Sequence, residues 1–147
     1  MKPGCGPRCL AMACERLGAK INADELATLA GEQNGETSLA GLARAARQLG
    51  FRATAEAWSV TEILDHGQTL AGRTILHLAD PGHFVLLTGV GREAVTVADP
   101  TGLKMAKTRF TAQELSAAWA GKILVLRGVS LQVGAGIKAN QHVPRQQ

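Results

Sequence analysis

The hydrophobic pattern of this chain changes its period near Gly50. On the N-terminal side, apolar residues recur at helical spacing, most clearly in a stripe of Leu39, Leu42, Ala43, Ala46 and Leu49. On the C-terminal side, short runs of β-branched and other apolar residues are separated by turns that contain Gly or Asp. Helical segments followed by strands with short connections are typical of an α+β domain. We therefore expect N-terminal helices packed on a C-terminal antiparallel β-sheet.

Capping residues and glycines predict the boundaries of the helices and strands. The helices are expected at about Pro7–Leu17, at Asn22–Gly31, at Leu39–Leu49, after Ser59, and after Thr111, the last of these carrying Leu115 and Trp119. The strands are expected at Phe51–Trp58, Thr74–Leu78, His83–Val90, Ala94–Asp99, Lys104–Thr108 and Lys122–Arg127. Residues 1–127 are thus expected to form one domain, and residues 128–147, which lack periodicity, a flexible C-terminal tail.

Length and composition restrict the setting in which the chain works. With 147 residues, of which 46% are hydrophobic, it can bury about two-thirds of the surface of its unfolded form. Three cysteines are an odd number, so a reducing compartment is a simpler inference than a disulfide framework. No apolar run reaches the roughly 18 to 20 residues that span a bilayer, and the first residues lack an apolar signal segment. We expect a cytoplasmic location, with the inner face of the membrane as an alternative.

The net charge of +4 does not indicate a nucleic-acid partner. Basic residues are scattered, and only Lys104, Lys107 and Arg109 approach a cluster, which suits an exposed strand edge. Aromatic residues make up 3% of the chain, too few for a platform on which bases stack. Cys5 and Cys9 have a spacing that two metal ligands can use, but no His or Cys pair at zinc-ligand spacing accompanies them. We expect neither a metal nor another cofactor.

Cys5 stands between two glycines at the expected start of the first helix. Pro7 suits a first helical turn, where its missing N–H is not needed. The partial positive charge at a helix N-terminus favours a thiolate, and the flanking glycines allow a substrate to come close. Cys9 and Cys14 lie among apolar residues of the same helix and are expected to be core residues. Cys5 is therefore the candidate nucleophile, and simple packing is the competing interpretation.

His83 and Asp99 lie on two consecutive predicted strands. If the turn between them is centred on Gly91, residues whose numbers sum to 182 face each other, and His83 is directly opposite Asp99. A carboxylate there selects the imidazole tautomer and leaves the other ring nitrogen to exchange a proton with a thiol. The alternative is that both residues merely border turns. His77 is a rival base, although its apolar neighbours favour a packed histidine.

Four segments in this order carry a resemblance over residues 3–127. They are Cys5-Gly6-Pro7 followed by Leu10-Ala11-Met12, Thr37-Ser38-Leu39 leading to Leu49-Gly50-Phe51, Gly82-His83-Phe84-Val85-Leu86-Leu87-Thr88-Gly89, and Val97-Ala98-Asp99-Pro100. Together they resemble the bacteriocin-processing cysteine peptidases, the double-glycine leader peptidases that are often N-terminal domains of peptide-exporting ABC transporters. The resemblance implies a papain-like fold with Cys5 as nucleophile, His83 as general base and Asp99 as orienting carboxylate. It also implies cleavage after a Gly-Gly pair through a channel that admits only small side chains.

The chain departs from this family just before Cys5. There the family has a glutamine that contributes to the oxyanion hole, whereas here only Met1, Lys2, Pro3 and Gly4 precede the cysteine. Losing one such donor costs about 10²- to 10³-fold in rate. Three functions stay open: a leader peptidase, a catalytically impaired leader-binding domain, and another papain-like amidase or acyltransferase. The implied partners are a leader-bearing peptide and a separately encoded ABC exporter, and an upstream extension that supplies the glutamine is a further alternative.

Overall fold

A computed structural model describes residues 4–34, 36–78, 83–99 and 108–129. Within these ranges the helices are α1 (Cys5–Arg16), α2 (Ala23–Ala30), α3 (Leu39–Gln48), α4 (Val60–His66), the 3₁₀ helix η1 (Gly67–Leu70) and α5 (Ala112–Ala118). The strands are β1 (Phe51–Ala57), β2 (Thr74–Leu78), β3 (His83–Val90), β4 (Ala94–Ala98), β5 (Arg109–Thr111) and β6 (Trp119–Val129). None of the described helices combines the length and the apolar character that crossing a membrane requires.

The six strands form one antiparallel sheet in the order β1-β6-β2-β3-β4-β5. Helices α1, α2 and α3 pack on one face of the sheet, on a set of side chains that includes Phe84 and Leu86. Helices α4, η1 and α5 pack on the other face, against residues that include Val85 and Leu87. The alternation of these four residues is that of a strand buried on both faces. The arrangement confirms the expected α+β fold, with α4, η1 and α5 as a second, smaller layer.

Most of the predicted helix caps are present. The Asn22 side chain accepts the N–H of Asp24 at 2.7 Å at the start of α2, and the Ser38 hydroxyl accepts the N–H of Gly41 at 2.9 Å at the start of α3. A complete capping box begins α4, at Ser59, and another begins α5. A cap of this kind stabilises a helix by about 1 kcal/mol. These local signals explain why the first three helices begin and end close to where the sequence predicts.

The C-terminal boundaries differ more from the prediction. Trp119, expected in the last helix, is instead the first residue of β6, where it pairs with Leu78. Its ring is 4% exposed in the second layer, and an aromatic side chain suits a buried strand. The strand β5 (Arg109–Thr111) was not expected, and the predicted strand Lys104–Thr108 lies, except for its last residue, outside the described residues. The predicted turn residues 80–82 and residues 130–147 of the predicted tail also lie outside them.

The pairing of β3 with β4 corrects the predicted register. Leu86 pairs with Ala98, so the numbers of paired residues sum to 184 there rather than to 182. The turn extends beyond Gly91, whose N–H donates to the carbonyl oxygen of residue 94 at 2.8 Å, and a one-residue bulge in β3 offsets only part of this extension. The expectation that His83 directly faces Asp99 is therefore wrong. In the observed register the two residues are diagonal neighbours at the same end of the strand pair.

Candidate active site

The first turn of α1 positions Cys5. Cys5 is the first residue of the helix and Gly4 is its N-cap, in agreement with the prediction from Pro7. The backbone N–H of Gly4 donates to a carboxylate oxygen of Glu32 at 3.0 Å, which ties the segment before Cys5 to the end of α2. The buried face of α1 anchors the helix in the core through Cys9, Leu10, Ala13 and Cys14. The half-buried Cys5 is thus held by the core on one side and by this tether on the other.

The sulfur of Cys5 faces the start of β3. Its Sγ accepts a hydrogen bond from the backbone N–H of Phe84 at 3.2 Å. Phe84 directly follows His83, so this contact brings the thiol to the strand end that carries the imidazole. The N–H of Phe84 and the N-terminus of α1 both direct the positive ends of their dipoles toward the sulfur.

His83 and Asp99 lie against each other although they do not face each other in register. His83 Nε2 is 3.4 Å from Asp99 Oδ2, and the two side chains are 20% and 4% exposed. Diagonal neighbours on one face of a strand pair are within reach of long side chains, which explains how the contact forms. The two side chains are thus at ion-pair distance, but Nε2 of His83 has no hydrogen-bond partner among the described residues. Because both groups are largely shielded from water, their interaction is stronger than that of an exposed pair.

Cys9 and Cys14 are buried thiols of α1 whose pKa values are raised. Burial raises the pKa of the Cys9 thiol well above its usual value, and the charges of Cys5 and Asp99 raise it further. Burial alone raises the pKa of Cys14 to about 12. Cys9 and Cys14 are both fully buried, as the sequence predicts.

His77, the rival base, makes a different kind of contact. Its ring stacks on that of Phe84, with centroids 4.6 Å apart and planes inclined by 19°. Burial lowers the pKa of His77, and the positive charges of Lys122 and His83 lower it further. These effects favour the neutral form of its imidazole. The stack matches the sequence interpretation of a packed histidine, and it places His77 at the rim of the site.

A cleft of about 420 Å³ opens beside Cys5. It is lined by Cys5, Gly6, Glu36, Thr37, Ser38, His77 and Phe84. A second depression of about 640 Å³ shares Glu36, Thr37 and Ser38 with the cleft and continues toward Arg44 of α3. The two depressions therefore adjoin along the segment between α2 and α3. Sequence reasoning used Thr37 and Ser38 only as caps and as part of a motif, and it missed that the segment between α2 and α3 lines the site.

The donors available for a developing oxyanion are backbone groups. No glutamine or asparagine is among the described residues that line the cleft. The N–H groups of the first turn of a helix have no partner within the helix, and the N–H of Cys5 belongs to this set. Nor do the described ranges contain a group of three or more His, Cys, Asp or Glu side chains arranged to hold a metal ion. The arrangement is suited to covalent chemistry at sulfur.

Comparisons with known proteins agree with this fold. The peptidase C39 family model matches residues 2–128. The peptidase domain of Streptococcus ComA, a bi-functional ABC transporter involved in a quorum-sensing pathway, has a TM-score of 0.71 and 23% identity, over 84% of this chain and 90% of that domain. A double glycine motif protease from an AMS/PCAT transporter, solved in complex with the leader peptide, has a TM-score of 0.69 and 19% identity, over 86% of this chain and 85% of that one. An uncharacterized protein of Methanothermobacter marburgensis is 27% identical over 122 residues, which are 83% of this chain and 80% of that protein.

Proposed function

The chain belongs to the peptidase C39 family, as its four sequence segments predicted, and we propose that it is a cysteine peptidase that removes the leader from an exported peptide after a Gly-Gly pair. Two contacts near the first turn of α1 support the proposal. Cys5 Sγ lies at the N–H of Phe84, and the neighbouring His83 is in contact with the shielded carboxylate of Asp99.

The proposed reaction uses both nitrogens of the imidazole. In the proposal the charge of Asp99, 3.4 Å from Nε2 of His83, orients the ring so that Nδ1 takes the proton of the Cys5 thiol. The thiolate attacks the carbonyl carbon of the second glycine, and His83 gives the proton to the departing amine as the C–N bond breaks. Water, deprotonated by His83, then hydrolyses the thioester, so the leader leaves as a carboxylate and the thiol is restored.

In this mechanism the N-terminus of α1 stabilises the negative charge that develops on the attacked carbonyl oxygen. The backbone N–H of Cys5 is fixed in the first turn, and the helix dipole adds partial positive charge at the same place. These groups are held in place before the substrate arrives, because Gly4 is tied to Glu32 and α1 is anchored in the core. They supply oxyanion stabilisation that does not depend on a side-chain amide.

The proposed Gly-Gly preference is supported by the lining of the cleft and by a structural relative. Gly6, which has no side chain, and Phe84 are buried residues of that lining, and the ring of His77 stacks on Phe84. One structurally similar protease was solved with a leader peptide. In the proposal the rest of the leader follows the second depression, and the partner that exports the mature peptide is an ABC transporter.

Replacing the nucleophile tests the proposal. We expect the Cys5→Ala variant to bind a synthetic Gly-Gly leader peptide but to cleave it at least about 10³-fold more slowly than the parent, since the thioester cannot form. Cleavage is followed by chromatography and mass spectrometry, and a peptide with Val-Val in place of Gly-Gly serves as the control substrate. If Cys5→Ala cleaves at the parental rate, the thiol mechanism is wrong. If the parent hydrolyses only non-peptide amides, the substrate class is wrong.

A second candidate function is leader binding without turnover. The absence of a glutamine or asparagine among the described residues of the cleft favours it, because the family's side-chain oxyanion donor has no counterpart there. The same experiment separates the two functions. A parent that binds the Gly-Gly peptide with the affinity of Cys5→Ala, and leaves it intact, is a leader-binding domain.

A further inference from the structure

Thr37 carries a hydroxyl that the fold buries and does not use. Its Oγ1 is shielded from solvent and has no hydrogen-bond partner among the described residues. Thr37 as a residue is only half-buried, and it lines the cleft together with Cys5. Buried polar atoms in folded proteins are almost always satisfied, and each exception calls for a reason. An unused donor in the wall of a peptide cleft is a natural site for a substrate carbonyl.

In the free protein the Thr37 hydroxyl points toward Gly6. Oγ1 lies against Gly6, where an added Cβ would come within 2.5 Å of it, so only glycine at this position leaves room for the oxygen. The adjacent Ser38 differs, because its hydroxyl oxygen accepts the N–H of Gly41 and caps α3. Of these two neighbouring hydroxyls, one therefore has a partner in the fold and the other has none among the described residues.

We propose that the Thr37 hydroxyl donates a hydrogen bond to a main-chain carbonyl of the peptide bound beside Cys5. The inference rests on the proposed peptidase function and assigns this residue a binding role within it. A rotation about the Thr37 Cα–Cβ bond turns Oγ1 from Gly6 into the cleft, and the partner it finds there replaces the one it lacks in the free protein. The bond goes to the peptide backbone, so it strengthens binding without selecting a side chain.

This role predicts that binding and stability change in opposite directions. Thr37→Val keeps the volume and branching of the side chain but removes the hydroxyl. We expect peptide affinity to fall about tenfold, the loss typical of one hydrogen bond, while the thermal midpoint stays equal or rises because a buried unpaired oxygen is gone. Thr37→Ser, which keeps the hydroxyl, is expected to retain most of the affinity.

The test measures the dissociation constant of a Gly-Gly leader peptide in the Cys5→Ala background, where no cleavage occurs. Thr61→Val, an exposed change of the same kind on α4, is the matched control. A tenfold loss for Thr37→Val, with no loss for Thr61→Val, supports the proposal. Equal affinity for Thr37→Val and its background overturns it, as does an equal loss in Thr37→Ser. Failure of the parent to cleave the peptide contradicts the peptidase function instead, and the binding comparison still decides the role of Thr37.

Discussion

Neutralising Asp99 tests how much the carboxylate contributes to the chemistry of His83. Asp99→Asn keeps the shape of the side chain and removes its charge. Two unit charges about 4 Å apart at an effective dielectric constant of about 20 interact by about 4 kcal/mol. His83 Nε2 and Asp99 Oδ2 are 3.4 Å apart, but the histidine is 20% exposed, so water screens part of the interaction. We therefore expect Asp99→Asn to raise the free-energy barrier of the step in which the imidazole is protonated by roughly 2 to 3 kcal/mol. This corresponds to a rate about 30- to 150-fold lower.

The assay is kcat/KM for a Gly-Gly peptide at neutral pH, with peptide affinity and the thermal midpoint measured on the same samples. Asp65→Asn, an exposed change on α4, is the matched control and is expected to match the parent. We expect Asp99→Asn to lower kcat while it leaves peptide affinity nearly unchanged, because Asp99 acts through His83. A folded Asp99→Asn variant within threefold of the parent would refute the assignment of Asp99 as orienting carboxylate.

Two further predictions concern the first turns of α1. Gly6→Ala places a Cβ 2.5 Å from Thr37 Oγ1 and 3.1 Å from a methyl carbon of Leu42. We therefore expect a loss of about 1 to 3 kcal/mol in the free energy of unfolding, measured by urea denaturation. An unchanged midpoint would contradict the packing described. The raised pKa values of Cys9 and Cys14 keep both thiols protonated at pH 8. After brief iodoacetamide treatment of the folded protein, we expect peptide mapping to find both cysteines unmodified. Alkylation of either cysteine at the rate seen in urea would show that it is not buried as described.

Local signals predicted the helical half of the fold well. The side chains of Asn22, Ser38 and Ser59 act on residues within three positions along the chain, so their effect is visible in the sequence. Trp119 shows where this reasoning ends. A capping box at Thr111 starts a helix, but no local sequence signal indicates that this helix ends at Ala118. Its end depends on the burial of Trp119 against the sheet, which is a tertiary contact.

The sequence predicted that His83 and Asp99 come close to each other, but not how. The order of Cys5, His83 and Asp99 suggested them as a set, whereas the approach of His83 to Asp99 depends on a turn and a bulge between β3 and β4 that no local rule specified. Thr37 shows a second limit. Its hydroxyl is of interest only because it lacks a partner in three dimensions, and the sequence alone presents it as one of two adjacent cap candidates.

The reactivity of Cys5 with and without His83 tests the central claim most directly. At neutral pH an ordinary thiol is only a few per cent thiolate, so a thiol that shares its proton with an imidazole reacts faster with iodoacetamide. We expect Cys5 of the parent to be alkylated about tenfold faster than a model thiol at pH 7, and His83→Ala to remove this advantage while the fold is retained. A parental rate no greater than that of the model thiol, or one that His83→Ala leaves unchanged, would contradict the account.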